Sequence, residues 1–179
     1  SYESERIDRG RVKDFLHYGG DSLTVFYLEN KEAKKEGDLS GIEDEAFLRG
    51  KVPMTKEEVR RISISKMKLQ KDMVVYDVGA GTGAVSVEMA RCIPEGMVYA
   101  IEREPEGLEL IEENQRKFRV DNLKILPGTA PEALAELPAP DAVFIGGSGG
   151  RLVEILEAVV HKNPRVRVVI NAITLETLS

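Results

Sequence analysis

The chain has 179 residues, 42% of them hydrophobic and 31% charged, the balance of one folded globular domain with room for a small appendage. Lys and Arg total 25 against 31 Asp and Glu, a formal net charge of −6, which argues against general nucleic-acid binding because that needs cations to replace condensed counterions. Cys92 is the sole cysteine and His17 and His161 the sole imidazoles, which excludes an intrachain disulfide and leaves no ligand set for a Cys- or His-based metal centre.

The chain begins Ser-Tyr-Glu-Ser-Glu-Arg, without the basic-then-apolar order of a signal peptide. Its longest apolar runs fall far short of the ~20 residues that cross a bilayer, so the expected location is the cytoplasm, with no membrane partner. Residues 11–16 read as one or two helical turns, and Leu23-Thr24-Val25-Phe26-Tyr27-Leu28 as a strand after a Gly19-Gly20-Asp21-Ser22 turn. Residues 1–30 are too few to bury a core, and residues 31–40 form a charged linker.

From residue 41 to 179 the pattern alternates between strands and helices. Thr55 with Glu58 spells a capping box, followed by Val59, Ile62 and Met67 at near-helical spacing. Apolar runs at 73–78, 97–101, 123–126, 141–145 and 166–171 read as strands, and residues 82–92, 105–119, 131–137 and 152–160 as helices between them. Such alternation predicts right-handed crossovers in an α/β fold, a doubly wound, mainly parallel sheet covered on both faces. The chain stops eight residues after Asn171, and such sheets usually have six or more strands, so C-terminal strands are expected to be missing.

Gly79-Ala80-Gly81-Thr82-Gly83 lies directly between a strand and a helix. That is the context of a cofactor-binding glycine loop, where the absent Cβ atoms allow close approach and a sharp turn. Gly79-x-Gly81-x-x-Ala84 also fits the relaxed dinucleotide fingerprint, with Glu102 as its ribose acid. Taken alone, the loop does not choose between a nicotinamide cofactor and S-adenosylmethionine.

Asp77-Val78-Gly79-Ala80-Gly81-Thr82-Gly83 resembles motif I of the class I methyltransferases. The resemblance implies S-adenosylmethionine lying on the loop, its methionine end held at Asp77 and its ribose hydroxyls at Glu102. Gly128-Thr129-Ala130 falls where that family's backbone meets adenine, which nominates Ala130.

Several segments resemble a narrower family. The segments Gly41 to Gly50 and Val52-Pro53-Met54-Thr55-Lys56-Glu57-Glu58-Val59-Arg60, the glycine loop, Gly128-Thr129-Ala130-Pro131-Glu132-Ala133-Leu134, Phe144-Ile145-Gly146-Gly147-Ser148-Gly149-Gly150 and Asn171-Ala172-Ile173-Thr174-Leu175-Glu176-Thr177 run in the order of the decarboxylating precorrin methyltransferases of cobalamin biosynthesis. The resemblance implies methylation of C15 of a precorrin tetrapyrrole with loss of carbon dioxide from its C12 acetate, by a homo-oligomer. It also implies that Thr55 closes over the cofactor, although Thr55 is equally readable as a plain helix cap. The amides of Gly146, Gly147, Ser148, Gly149 and Gly150, at a helix N-terminus, could hold a substrate carboxylate with Arg151 adding a cation. No general base is evident. Residues 1–30 resemble the end of a C5-specific precorrin methyltransferase, as in fused C5,15-enzymes. The competing readings are a methyltransferase for another small molecule, a protein or an RNA, an NAD-dependent oxidoreductase, and a non-catalytic cofactor-binding module.

Overall fold

A computed structural model of the chain describes residues 8–17, 19 and 41–171. The expected strand at 23–28, the linker at 31–40 and the matching segment at 172–177 lie outside the described residues. In the N-terminal unit, Val12–Phe15 forms a single 3-10 turn, with the amide of Arg11 donating to Asp14 Oδ2 at 2.9 Å.

The larger unit contains α1 (Glu57–Met67), β1 (Val74–Val78), α2 (Ala84–Cys92), β2 (Met97–Glu102), α3 (Pro105–Phe118), β3 (Leu123–Pro127), β4 (Ala142–Ile145), α4 (Leu152–Lys162) and β5 (Arg167–Ile170). The five strands form one parallel sheet in the order β3-β2-β1-β4-β5. Chain order reverses beside β1, which is the doubly wound arrangement expected from the alternation, and the crevice of such a sheet opens between β1 and β4. Near residue 131 only a short 3-10 turn, Glu132–Leu134, forms where a helix over 131–137 was expected.

The pleat sends alternate strand residues to opposite faces. Val75, Val98, Ala100, Ala142 and Phe144 pack with Met67 of α1, with Ala84, Val85, Val87, Met89 and Ala90 of α2 and with Ile111 of α3. Tyr76, Val78, Ile101, Val143 and Ile145 pack with Leu134 and with Ile155 and Val159 of α4. Strands buried on both faces account for the unbroken apolar runs in the sequence.

Helix α1 departs from expectation. Its N-cap is Lys56, with no side-chain capping bond, so the Thr55–Glu58 box does not form. Starting one residue later puts Val59, not Glu58, at the third helical position, and a capping box needs the acid there. Val59 and Ile62 are exposed, and the inward stripe is Arg60, Ser63 and Met67. Arg60 is fully buried yet well partnered. It donates to Glu88 of α2 and to the Ile42 carbonyl, to Asp44 at 2.9 Å and to the Thr55 carbonyl at 2.6 Å, and stacks 4.8 Å from the Phe47 ring. Two carboxylates and two carbonyls compensate the desolvated charge, so the helix turns its arginine inward and its valine outward.

Candidate functional site

A cleft of about 980 Å³ opens at the carboxyl ends of β1, β2 and β4, at the upper end of the roughly 300–1,000 Å³ usual for small-molecule sites. Its floor is the glycine loop. The amides of Gly79 and Ala80 both donate to the Ile101 carbonyl, at 3.0 and 3.1 Å, so the loop is tied to β2 as it leaves β1. The Gly81 amide donates to Glu102 Oε2 at 2.7 Å. Gly79, Gly81 and Gly83 all have positive φ, the left-handed region open to glycine. Gly79, Ala80, Gly81 and Thr82 line the cleft, whereas Gly83 serves as the N-cap of α2 and faces Ile111.

Glu102 lines the cleft floor. Its carboxylate accepts from Gly81 and also from the amides of Arg103 and Glu104, at 2.8 and 2.9 Å. A carboxylate offers about four acceptor sites, so three fixed donors hold its orientation and leave one direction for an incoming hydroxyl. Gly107 makes this possible, since a Cβ there would stand 2.8 Å from Glu102 Cγ. Sequence reasoning missed Gly107, and a glycine in the first turn of a helix was the available signal.

Asp77 is placed differently. It shares the pleat face of Val75, so its carboxyl points beneath the loop at α2, where Ser86 Oγ donates to Oδ2. It is fully buried and is not among the residues lining the cleft. Oδ1 has no hydrogen-bond partner among the described residues. Burial pushes its pKa up to about 7 against the pull of the Ser86 bond, with the negative charge of Glu102 adding to the rise. Its place is under the cofactor loop rather than in the cleft.

One wall is the segment entering α1. Val52, Pro53, Met54 and Thr55 line the cleft, and the Pro53 carbonyl lies 3.0 Å from where a Cβ on Gly81 would sit. Arg60 holds this wall through the Thr55 carbonyl. Burial works against the charge on Asp44, but the bond and charge of Arg60 prevail and hold its carboxyl below the usual range. Asn114 of α3 adds a second tie, donating to the Thr82 and Leu48 carbonyls, both at 2.9 Å, and accepting from the Leu48 amide. Neither Arg60 nor Asn114 was singled out from the sequence. A polar residue on an amphipathic helix reads as solvated until its distant partners are known.

Beyond β3, the Gly128 amide donates to the Glu102 carbonyl at 2.9 Å, and Gly128, Thr129 and the buried Ala130 line the cleft. Beyond β4, Gly146, Gly147, Ser148, Gly149 and Arg151 line the opposite side, and Gly150 does not. The amides of Gly146 and Gly147 are already given to the Val78 carbonyl, at 2.9 and 3.2 Å, which leaves Ser148, Gly149 and Gly150 as the candidate anion donors of this turn. Arg151 forms a bidentate pair with Glu132, 2.7 Å on each side, and also bonds Glu154. These bonds raise the arginine pKa and hold the Glu132 carboxyl below its usual range.

The model of the precorrin methyltransferase domain family matches residues 45–179. The chain belongs to that family. It is 47% identical over 139 residues to the cobalt-precorrin-6B C(15)-methyltransferase (decarboxylating) of Salmonella typhimurium, covering 76% of this chain and 71% of that protein. Among solved structures it is similar to a precorrin-6y C5,15-methyltransferase of Geobacter metallireducens, with a TM-score of 0.75 and 44% identity over 79% of this chain and 76% of that one. It is also similar to a precorrin 8w decarboxylase of Methanobacterium thermoautotrophicum, with a TM-score of 0.72 and 40% identity over 76% and 75% of the two chains. The family makes the chain a methyltransferase that uses S-adenosylmethionine, which resolves the ambiguity of the glycine loop. The site fits that cofactor: a Cβ at Gly79 would fill the space against Gly147, and Glu102 keeps one acceptor direction open. Among the described residues no group of His, Cys, Asp or Glu could hold a metal ion, and no helix is long and apolar enough to cross a membrane.

Proposed function

We propose that the chain methylates C15 of a precorrin and releases carbon dioxide from its C12 acetate, a step of cobalamin biosynthesis. The observation that carries this reading is the pairing of two glycine runs across one cleft, the first fixing the Glu102 carboxylate and the second adding spare amides where ordinary methyltransferases have no such run.

S-adenosylmethionine supplies an activated methyl group, so the protein contributes mainly positioning. Glu102 would accept one ribose hydroxyl at its free acceptor direction, and Ala130 with Gly128 and Thr129 would border the adenine. Gly79 and Gly81 admit the cofactor backbone, and Thr55 closes the wall above it. Asp77 acts from below, as a buried acid beneath the methionine end. Held there, the cofactor would supply its methyl group to the ring carbon, the S–CH3 bond breaking with its electron pair returning to sulfur. Loss of carbon dioxide leaves its electron pair in the macrocycle, and the former acetate carbon then takes a proton, so no dedicated side-chain base is needed. Apolar side chains at the mouth, Val59 and Ile170 among them, offer a surface for the face of a large ring.

The test is incubation with methyl-labelled S-adenosylmethionine and a precorrin-6 substrate, with and without cobalt. One labelled methyl group on C15 and one carbon dioxide per turnover are expected. Tight binding of S-adenosylhomocysteine with neither product would leave a cofactor-binding module instead.

A further inference from the structure

Two arginines border the cleft, and their donors are engaged very differently. Arg151 faces two carboxylates, Glu132 and Glu154, which engage all three of its guanidinium nitrogens. An anionic ligand would gain little from it.

Arg103 follows the ribose acid directly. Its backbone amide supports Glu102, and its side chain, 62% exposed, crosses toward the second glycine run. Its Nη1 lies 3.8 Å from where a Cβ on Gly149 would stand. Only its Nε is engaged, by Glu104 at 3.0 Å, and among the described residues the two Nη groups have no hydrogen-bond partner. An arginine end with both Nη groups open matches the two oxygens of a carboxylate, and a charge-assisted pair of this kind is about twice as strong as a neutral bond. Ser148 and Gly149 line the same cleft as Arg103.

We propose that Arg103 is the specificity-determining cation of the site, binding a carboxylate side chain of the macrocycle between its Nη groups and the Ser148–Gly149 turn. This rests on the reading of the substrate as a carboxylate-bearing precorrin. The carboxylate it binds is one the product keeps. A cation on the departing group would hold negative charge at the place from which it must leave, and would oppose the reaction.

The experiment compares the full chain with Arg103→Gln and Arg103→Lys, measuring KM for the precorrin, the ratio of carbon dioxide to methyl transferred, and the Kd of S-adenosylhomocysteine by calorimetry. Arg103→Gln is expected to raise KM roughly tenfold or more, the size of one charge-assisted bond. Arg103→Lys should recover part of that loss. The Kd should stay within about twofold, because the backbone amide that supports Glu102 is retained, and the product ratio should stay at one. An unchanged KM in Arg103→Gln overturns the proposal, and so does a matching loss of cofactor affinity, which would make Arg103 part of the cofactor site. If the unaltered protein binds S-adenosylhomocysteine but turns over no precorrin, the substrate reading itself fails and the assignment of Arg103 falls with it.

Discussion

The two glycine runs look alike in the sequence and are held by different constraints. A Cβ on Gly79 would meet the O, N and Cα atoms of Gly147 at 2.7, 2.8 and 2.9 Å, and one on Gly83 would meet Ile111 at 3.1 Å. In the second run, Gly150 has nothing within 4 Å among the described residues, and Gly149 has only the Arg103 guanidinium at 3.8 Å. Both runs contain left-handed backbone, with φ of +72° at Gly79 and +82° at Gly150. Glycine is therefore required at Gly79 for space and conformation together, and at Gly150 for conformation alone. The first run is a packed cradle, braced against the second. The second is the open lip of the cleft.

Filling the cradle should produce the largest effect. Gly79→Ala adds left-handed strain and an overlap with backbone that cannot swing aside, roughly 2–5 kcal/mol together. Because the displaced backbone is Gly147, both sides of the cleft move. Binding of S-adenosylhomocysteine should weaken by a hundredfold or more in calorimetry, with a matching fall in melting temperature. Binding within a few-fold of the unaltered protein would show that the two runs can separate without harm.

The strands and the first loop were legible in the sequence because short apolar runs ending at glycines have few other readings. Glu102 was legible because its position at a strand end decides its exposure. Asp77 was legible as important but not in its direction, since the pleat that turns it toward Ser86 depends on which face α2 covers. Arg60 was not legible at all. Its partners Ile42, Asp44 and Glu88 come from the segment before α1 and from α2, and nothing local distinguishes it from the solvated Arg61 beside it.

The runs differ also in the charge that supports them: a buried carboxyl under the first and a solvated ion-pair cluster beside the second. Asp77 titrates near pH 7 in the folded chain against an ordinary value of 3.8. A carboxyl whose pKa is raised on folding holds its proton more tightly when folded. The stability it contributes is complete below about pH 3.8 and is lost as pH rises to about 7. Asp77→Asn mimics the protonated form and removes that dependence. Its melting temperature should exceed that of the unaltered protein by several degrees at about pH 8 and match it within a couple of degrees near pH 4, at about 2–4 °C per kcal/mol for a chain of this size. A variant less stable at about pH 8 would mean that Asp77 is charged and satisfied there, and that the cradle does not sit on a neutral acid.

The smallest effect belongs to the lip. At Gly150 an alanine Cβ enters open space, so only the left-handed backbone opposes it, about 1–2 kcal/mol. The loss should appear as a few degrees of melting temperature. Gly150 does not line the cleft and the cofactor floor is bonded to β2 rather than to this turn, so the Kd of S-adenosylhomocysteine should stay within about twofold. Substrate binding should respond, because a strained residue 150 shifts the Ser148 and Gly149 amides that precede it, and KM for the precorrin should rise a few-fold. A Gly150→Ala variant as damaging to cofactor binding as Gly79→Ala would show that the lip is packed as tightly as the cradle, and the distinction between the two runs would collapse.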